Sequence, residues 1–114
     1  MSGRVLSKHA SVDLSAEAFS QTFDFDNSGR LLSVYVHASA AITEDIIISF
    51  DSKEGTVYHT VIAERTTEAE TDYVYSSAGM VAFSIGDKVK VEVTNANTTG
   101  VVGVTVKFET SYHG

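Results

Sequence analysis

Alternation of apolar and polar positions is clearest at Lys88 to Thr94, where Val89, Val91 and Val93 are separated by Lys88, Lys90 and Glu92. A period of two places the valines on one face of an extended segment and the charges on the other. Similar segments recur along the chain. Arg4 to Leu14 alternates loosely, with Leu6, Ala10, Val12 and Leu14 on one parity and Lys8 interrupting them, which predicts an edge strand or an extended arm over residues 1–12. Phe19, Phe23 and Phe25 share a side, with Gln21 as the exception, and Asp26-Asn27-Ser28-Gly29 then supplies turn residues that predict a hairpin. Arg30 to Ala40 sends Leu32, Val34, Val36 and Ala38 one way and Leu31, Ser33, Tyr35, His37 and Ser39 the other, so its second face is only half polar.

Asp45 to Phe50 has Ile46, Ile48 and Phe50 in register with an apolar Ile47 on the opposite side, the mark of a central or covered strand. A second hairpin is predicted at Asp51 to Gly55, with a return strand over Thr56 to Ala63. Glu64 to Thr71 holds three glutamates and three threonines and reads as an exposed loop. Tyr73 and Tyr75 then pair on one face, Ser77-Ala78-Gly79 is expected to turn the chain, and Met80 to Ile85 leads into a Gly86-Asp87 corner. A polar loop at Asn95 to Gly100 precedes a last strand carrying Val102, Val104, Val106 and Phe108. The one helix candidate is a single turn at Leu14 to Phe19, capped by Ser15. Eight or nine strands in 114 residues predict an all-β fold: one antiparallel β-sandwich domain of jelly-roll type spanning residues 1–114.

Composition narrows the chemistry. With no cysteine the chain has neither disulfides nor thiolate chemistry. Residues 1–20 lack the apolar core of a secretory signal, and no stretch approaches the roughly 18 apolar residues of a membrane span, so the expectation is a product made in the cytoplasm without membrane association. A net charge of −7 disfavours nucleic acid, whose phosphates reward a basic face. The charge is uneven: residues 1–12 carry Arg4 and Lys8 with no acid, whereas residues 13–87 carry 13 acids against 3 bases. Basic ends could therefore meet an acidic body, in the same subunit or a neighbour.

No catalytic or cofactor signature emerges. Asp24-Phe25-Asp26-Asn27-Ser28-Gly29 matches the first half of a calcium loop, making Asp24, Asp26 and Ser28 weak cation candidates, but position twelve is Tyr35 where a bidentate glutamate would close the site. The expectation is no metal and no cofactor. His9, His37, His59 and His113 are too far apart in sequence for a local zinc motif, although His37 and His59 could be neighbours across a sheet. Glu44 and Asp45 point to opposite faces of a strand, which defeats paired acid–base work, and no Gly-x-Ser-x-Gly elbow is present. Asn97-Thr98-Thr99 formally matches a glycosylation acceptor and reads as a turn. The remaining hint of ligand recognition is aromatic. Tyr35, Tyr58, Tyr73 and Tyr75 lie on expected strands and could stack on sugar faces, Tyr58, Tyr73 and Tyr75 foremost, or fill the core and subunit contacts.

The segment Phe83-Ser84-Ile85-Gly86-Asp87-Lys88-Val89-Lys90-Val91-Glu92-Val93 resembles the Gly-Asp corner found before a late strand in jelly-roll modules. Together with Ser/Thr/Ala/Val-rich strands, small size and no cysteine, it makes the chain similar to small virion proteins of tailed bacteriophages, above all capsid decoration or cement proteins. That resemblance implies a non-enzymatic subunit, often a trimer, that binds the major capsid protein or other virion subunits and braces the shell, with the virion as its location. On that view the segment with Arg4, Val5, Leu6, Lys8 and His9 docks on an acidic neighbour by strand addition, and Tyr35 and Ile47 supply apolar contact. The alternative expectation is a carbohydrate- or surface-binding module of tail or fibre type.

Overall fold

In the computed structural model, which describes residues 4–51, 60–96 and 100–110, eight strands form two four-stranded antiparallel sheets. They are β1 (Arg4–Asp13), β2 (Phe19–Asp24), β3 (Gly29–Ile42), β4 (Asp45–Asp51), β5 (Thr60–Thr66), β6 (Glu70–Phe83), β7 (Lys88–Val93) and β8 (Val101–Thr110). One sheet has the order β1-β8-β3-β6 and the other β2-β7-β4-β5. Only the β4–β5 connection stays within a sheet. The other connections cross between the sheets, and this is the wrapped order of a jelly roll.

Period-two patterning explains the shared core. Val89, Val91 and Val93 from β7 meet Val102, Val104 and Val106 from β8, together with Leu31, Val34, Val36, Ile46 and Ile48, all almost fully buried. At one end Phe25 stacks on Phe83 with ring centroids 3.7 Å apart, and both meet Phe108 edge-on. The Gly86-Asp87 corner organises that end. Gly86 has φ 92°, which a side chain would strain, Asp87 Oδ2 accepts from the Ser84 N–H at 2.8 Å, and the Gly86 N–H reaches the Phe25 carbonyl at 3.0 Å.

Several sequence expectations need correction. Asp26 to Gly29 does not close a hairpin, because β2 pairs with β7 while β3 pairs with β8 and β6. Turn residues bend the chain equally well toward the same sheet or the opposite one, and burial of Phe25 decides for the crossing. Gly29 permits it, since a Cβ there would lie 2.0 Å from the Glu109 carbonyl oxygen. Ser77-Ala78-Gly79 does not turn the chain either: β6 runs through as a bulge, with Ala78 at φ 54°. The register jumps from Leu31↔Val81 to Ser33↔Ser76, and the buried Ser77 hydroxyl donates to the Leu31 carbonyl. The β3–β8 register shifts over the same residues, so Leu31, not Leu32, shares the core side with Val34.

The loop expected over Glu64 to Thr71 shrinks to the residues between β5 and β6. Arg65 and Glu70 flank it and close it with two hydrogen bonds of 2.8 and 2.7 Å. A shift in the β4–β5 pairing between Ile48 and Ser49 brings Ile62 and Ala63 against the core and leaves Val61 exposed. The single turn after β1 is capped by Asp13 instead of Ser15: its Oδ1 accepts from the Ser15 N–H at 2.9 Å and the Ser15 hydroxyl at 2.7 Å. Those bonds, the hydroxyl foremost, hold the Asp13 pKa below its ordinary value. The hairpin residues expected after Asp51, Tyr58, His59, the Asn97-Thr98-Thr99 triplet and His113 lie outside the described residues.

Candidate functional site on the outer face of one sheet

Antiparallel register lines up the outward side chains of the β1-β8-β3-β6 sheet into rows. Val5, Glu109, Arg30 and Ala82 form one row, then Ser7, Lys107, Ser33 and Ser76. Next come His9, Thr105, Tyr35 and Val74, and finally Ser11, Gly103, His37 and Asp72. Gly103 is a gap in this face. Its neighbours leave an open depression of about 390 Å³ lined by His9, Ser11, Tyr35, His37, Ser39, Val101 and Thr105.

Both histidines of the depression are held through Nδ1. His9 Nδ1 lies 2.9 Å from Thr105 Oγ1 on the neighbouring strand, and its ring edge leans over Gly103, where a Cβ would come within 3.1 Å of His9 Cε1. His37 Nδ1 lies 2.7 Å from Asp72 Oδ1. The Asp72 carboxyl stays below its ordinary pKa chiefly through that hydrogen bond, with a second from the Thr71 hydroxyl at 2.9 Å. Both members of the pair are exposed, so it adds little to stability and serves mainly to orient the ring. Beside it the Lys107 ammonium sits 5.2 Å from the Tyr35 ring centroid.

Residues singled out from the sequence scatter over the molecule. Arg4, Val5, Leu6, Lys8 and His9 belong to β1, an edge strand whose whole length pairs with β8 in the same chain, from Arg4↔Thr110 to Asp13↔Val101. Leu6 packs on the core, and Lys8 Nζ donates to the Asp24 carbonyl on β2, tying the two sheets together. Tyr35 and Ile47 lie on opposite sheets and cannot form one patch. Ile47 is half-buried between Glu92 and Glu64 in the other sheet. Tyr73 and Tyr75 pack half-buried against the core, where burial raises the Tyr73 pKa. Asp24, Asp26 and Ser28 are exposed, and among the described residues no group of three or more His, Asp or Glu gathers in a metal-holding arrangement. His37 meets Asp72, a pairing that sequence spacing did not suggest.

Gly103 and Thr105 escaped the sequence reading, yet a signal existed. A glycine at an outward position inside a strand marks a bulge or a close approach. Glu44, just before β4, is also unanticipated. Its side chain is buried, and Oε1 accepts from the Thr94 hydroxyl at 2.6 Å and the Ala96 N–H at 3.0 Å. The backbone of Glu44 exchanges hydrogen bonds with Thr67, itself buried, so side chain and backbone of this one residue together join three loops of the sandwich.

No protein-family model matches the sequence, and no curated protein matches it. Among solved structures, the core of Drosophila NLP, whose structure bears on pentamer formation and histone binding, aligns at 14% identity and a TM-score of 0.47 over 90% of this chain and 97% of that one. A serine protease of Aeromonas sobria aligns at 12% identity and a TM-score of 0.42 over 91% of this chain and 27% of the protease. Neither likeness bears on what this chain binds.

Proposed function

We propose that the protein is a non-enzymatic structural subunit of a virion, of the capsid decoration type, which assembles with copies of itself and with a shell protein through the outer face of the β1-β8-β3-β6 sheet. One observation carries this reading. Of the seven exposed large apolar side chains among the described residues, five belong to that sheet: Val5, Tyr35, Val74, Met80 and Val101. Scattered single apolar residues need no explanation, but concentration on one face marks an interaction surface. Viral shell domains and lectins both use jelly rolls, so the fold alone does not choose between assembly and glycan binding. The tyrosines weigh toward assembly. Tyr73 and Tyr75 are committed to the core, and Tyr35 carries Lys107 over its ring.

The test has two parts. In sedimentation the protein should run as an oligomer, a species of three 12.2-kDa chains being the expected one, and the double variant Tyr35→Glu with Val74→Glu should sediment as a monomer with an unchanged circular dichroism spectrum. In density-gradient-purified particles from cultures that express the gene, mass spectrometry should find the chain in the particle band. A chain abundant in the soluble fraction but absent from particles would overturn the virion assignment.

A further inference from the structure

We propose that the depression around Gly103 is a binding site for a divalent ion of the zinc–copper class, held by the Nε2 atoms of His9 and His37. Both rings line the same depression, and each has its Nδ1 engaged elsewhere. With Nδ1–H donating to the Thr105 hydroxyl in one ring and to the Asp72 carboxylate in the other, each Nε2 keeps its lone pair. A carboxylate behind an imidazole is the arrangement that orients metal-ligating histidines and raises their basicity, and Asp72 stands in that position behind His37. Imidazole nitrogen suits zinc, copper and nickel, whereas calcium and magnesium prefer oxygen.

Gly103 is the structural reason the site exists. It pairs with Ser11 on one side and His37 on the other, and its missing side chain leaves the space over which the His9 ring leans. A Cβ at this position would come within 3.1 Å of His9 Cε1 and 3.5 Å of His9 Nε2, so a larger residue would displace the His9 ring. Two protein nitrogens leave the remaining coordination positions to water, so the ion is exchangeable.

Titration of the purified protein with Zn²⁺ by calorimetry, and with Cu²⁺ by electron paramagnetic resonance, tests the assignment. The expected result is one site per chain with hyperfine coupling to two imidazole nitrogens. His9→Ala and His37→Ala should each weaken Zn²⁺ at least about tenfold, and Asp72→Ala, which leaves both ligands in place, about tenfold. Gly103→Val should abolish binding, and Gly103→Ala, which needs a shift of only a few tenths of an ångström by His9, should weaken it while preserving the circular dichroism spectrum. Unchanged affinity in the His9→Ala/His37→Ala double variant, or a spectrum from a single nitrogen, would overturn the site.

Discussion

The two sheets share one core and differ on their outer faces. On the β2-β7-β4-β5 sheet the outward rows are dominated by charge: Asp24, Lys88 and Asp51 in one row, Glu92 and Glu64 either side of Ile47 in another, with Lys90 3.7 Å from Glu92. Charges on this face and along its edges keep strands from pairing with strangers. The β1-β8-β3-β6 sheet instead shows imidazole, hydroxyl and aliphatic groups through its middle, with Arg30, Glu109, Lys107 and Asp72 distributed around them. Inward positions of both sheets obey the same rule and could be exchanged without changing the fold class. The outward positions are where the two sheets differ, one face carrying mostly charge and the other mostly uncharged groups.

Removing the shared core should erase the distinction altogether. Phe25→Ala takes away the ring that stacks on Phe83 and touches Phe108, and should cost about 3–5 kcal/mol. A single cooperative urea transition shifted to lower denaturant is the expected outcome, whereas two separate transitions would mean that the sheets are independent units. Glu44→Ala should cost about 1–3 kcal/mol, because the Thr94 hydroxyl and the Ala96 N–H lose an acceptor that is itself buried, in partly buried hydrogen bonds. Glu44→Gln, which keeps an acceptor oxygen, should lose less in the same urea titration.

Sharpening the contrast between the faces needs a smaller perturbation. Val74→Glu on one sheet and Glu92→Lys on the other should each leave stability within about 0.5 kcal/mol, since both side chains are outward. Only the first should shift the sedimentation profile; equal effects from the two would remove the asymmetry on which the proposed function rests. The smallest effect is on acid stability. The Asp13, Glu70 and Asp72 pKa values are lowered by Ser15, Arg65 and His37 respectively, so each folded carboxyl holds its proton less tightly than the unfolded one. Stability from these groups is therefore complete above the unfolded carboxylate range of about pH 4 and is lost as pH falls through the lowered folded values. Asp72→Asn should flatten that slope slightly in acid unfolding followed by circular dichroism, without moving the neutral-pH midpoint by much.

Period-two patterning made the two-layered fold legible, because alternate valines in Lys88–Val93 and Val101–Thr110 have only one way to be buried. Connectivity was not legible. Asp26 to Gly29 carries the same residues whether the chain returns to its own sheet or crosses to the other, and the difference lies in where Phe25 finds its stacking partner nearly sixty positions later. Continuation of β6 through Ala78 was hidden for a similar reason: a Ser-Ala-Gly run suits a bulge as well as a turn, and pairing with β3 decides. At the candidate site His9, Tyr35 and His37 were each noticed, but not their meeting. It is created by the β1-β8-β3 register, which sets residues from three distant segments around Gly103.

The pairing of β1 with β8, from Arg4↔Thr110 onward, also sets the order of events in folding. β1 and β3 are both synthesised well before β8, the sheet neighbour that each of them takes, so neither can complete its ladder until the valine-rich β8 has emerged. A topology this dependent on distant contacts belongs with the slow folders, on the millisecond-to-second scale of β-sandwiches. During synthesis the half-made chain exposes strands without partners, and a chaperone that shelters apolar segments would raise the yield of soluble protein most when it acts before β8 appears.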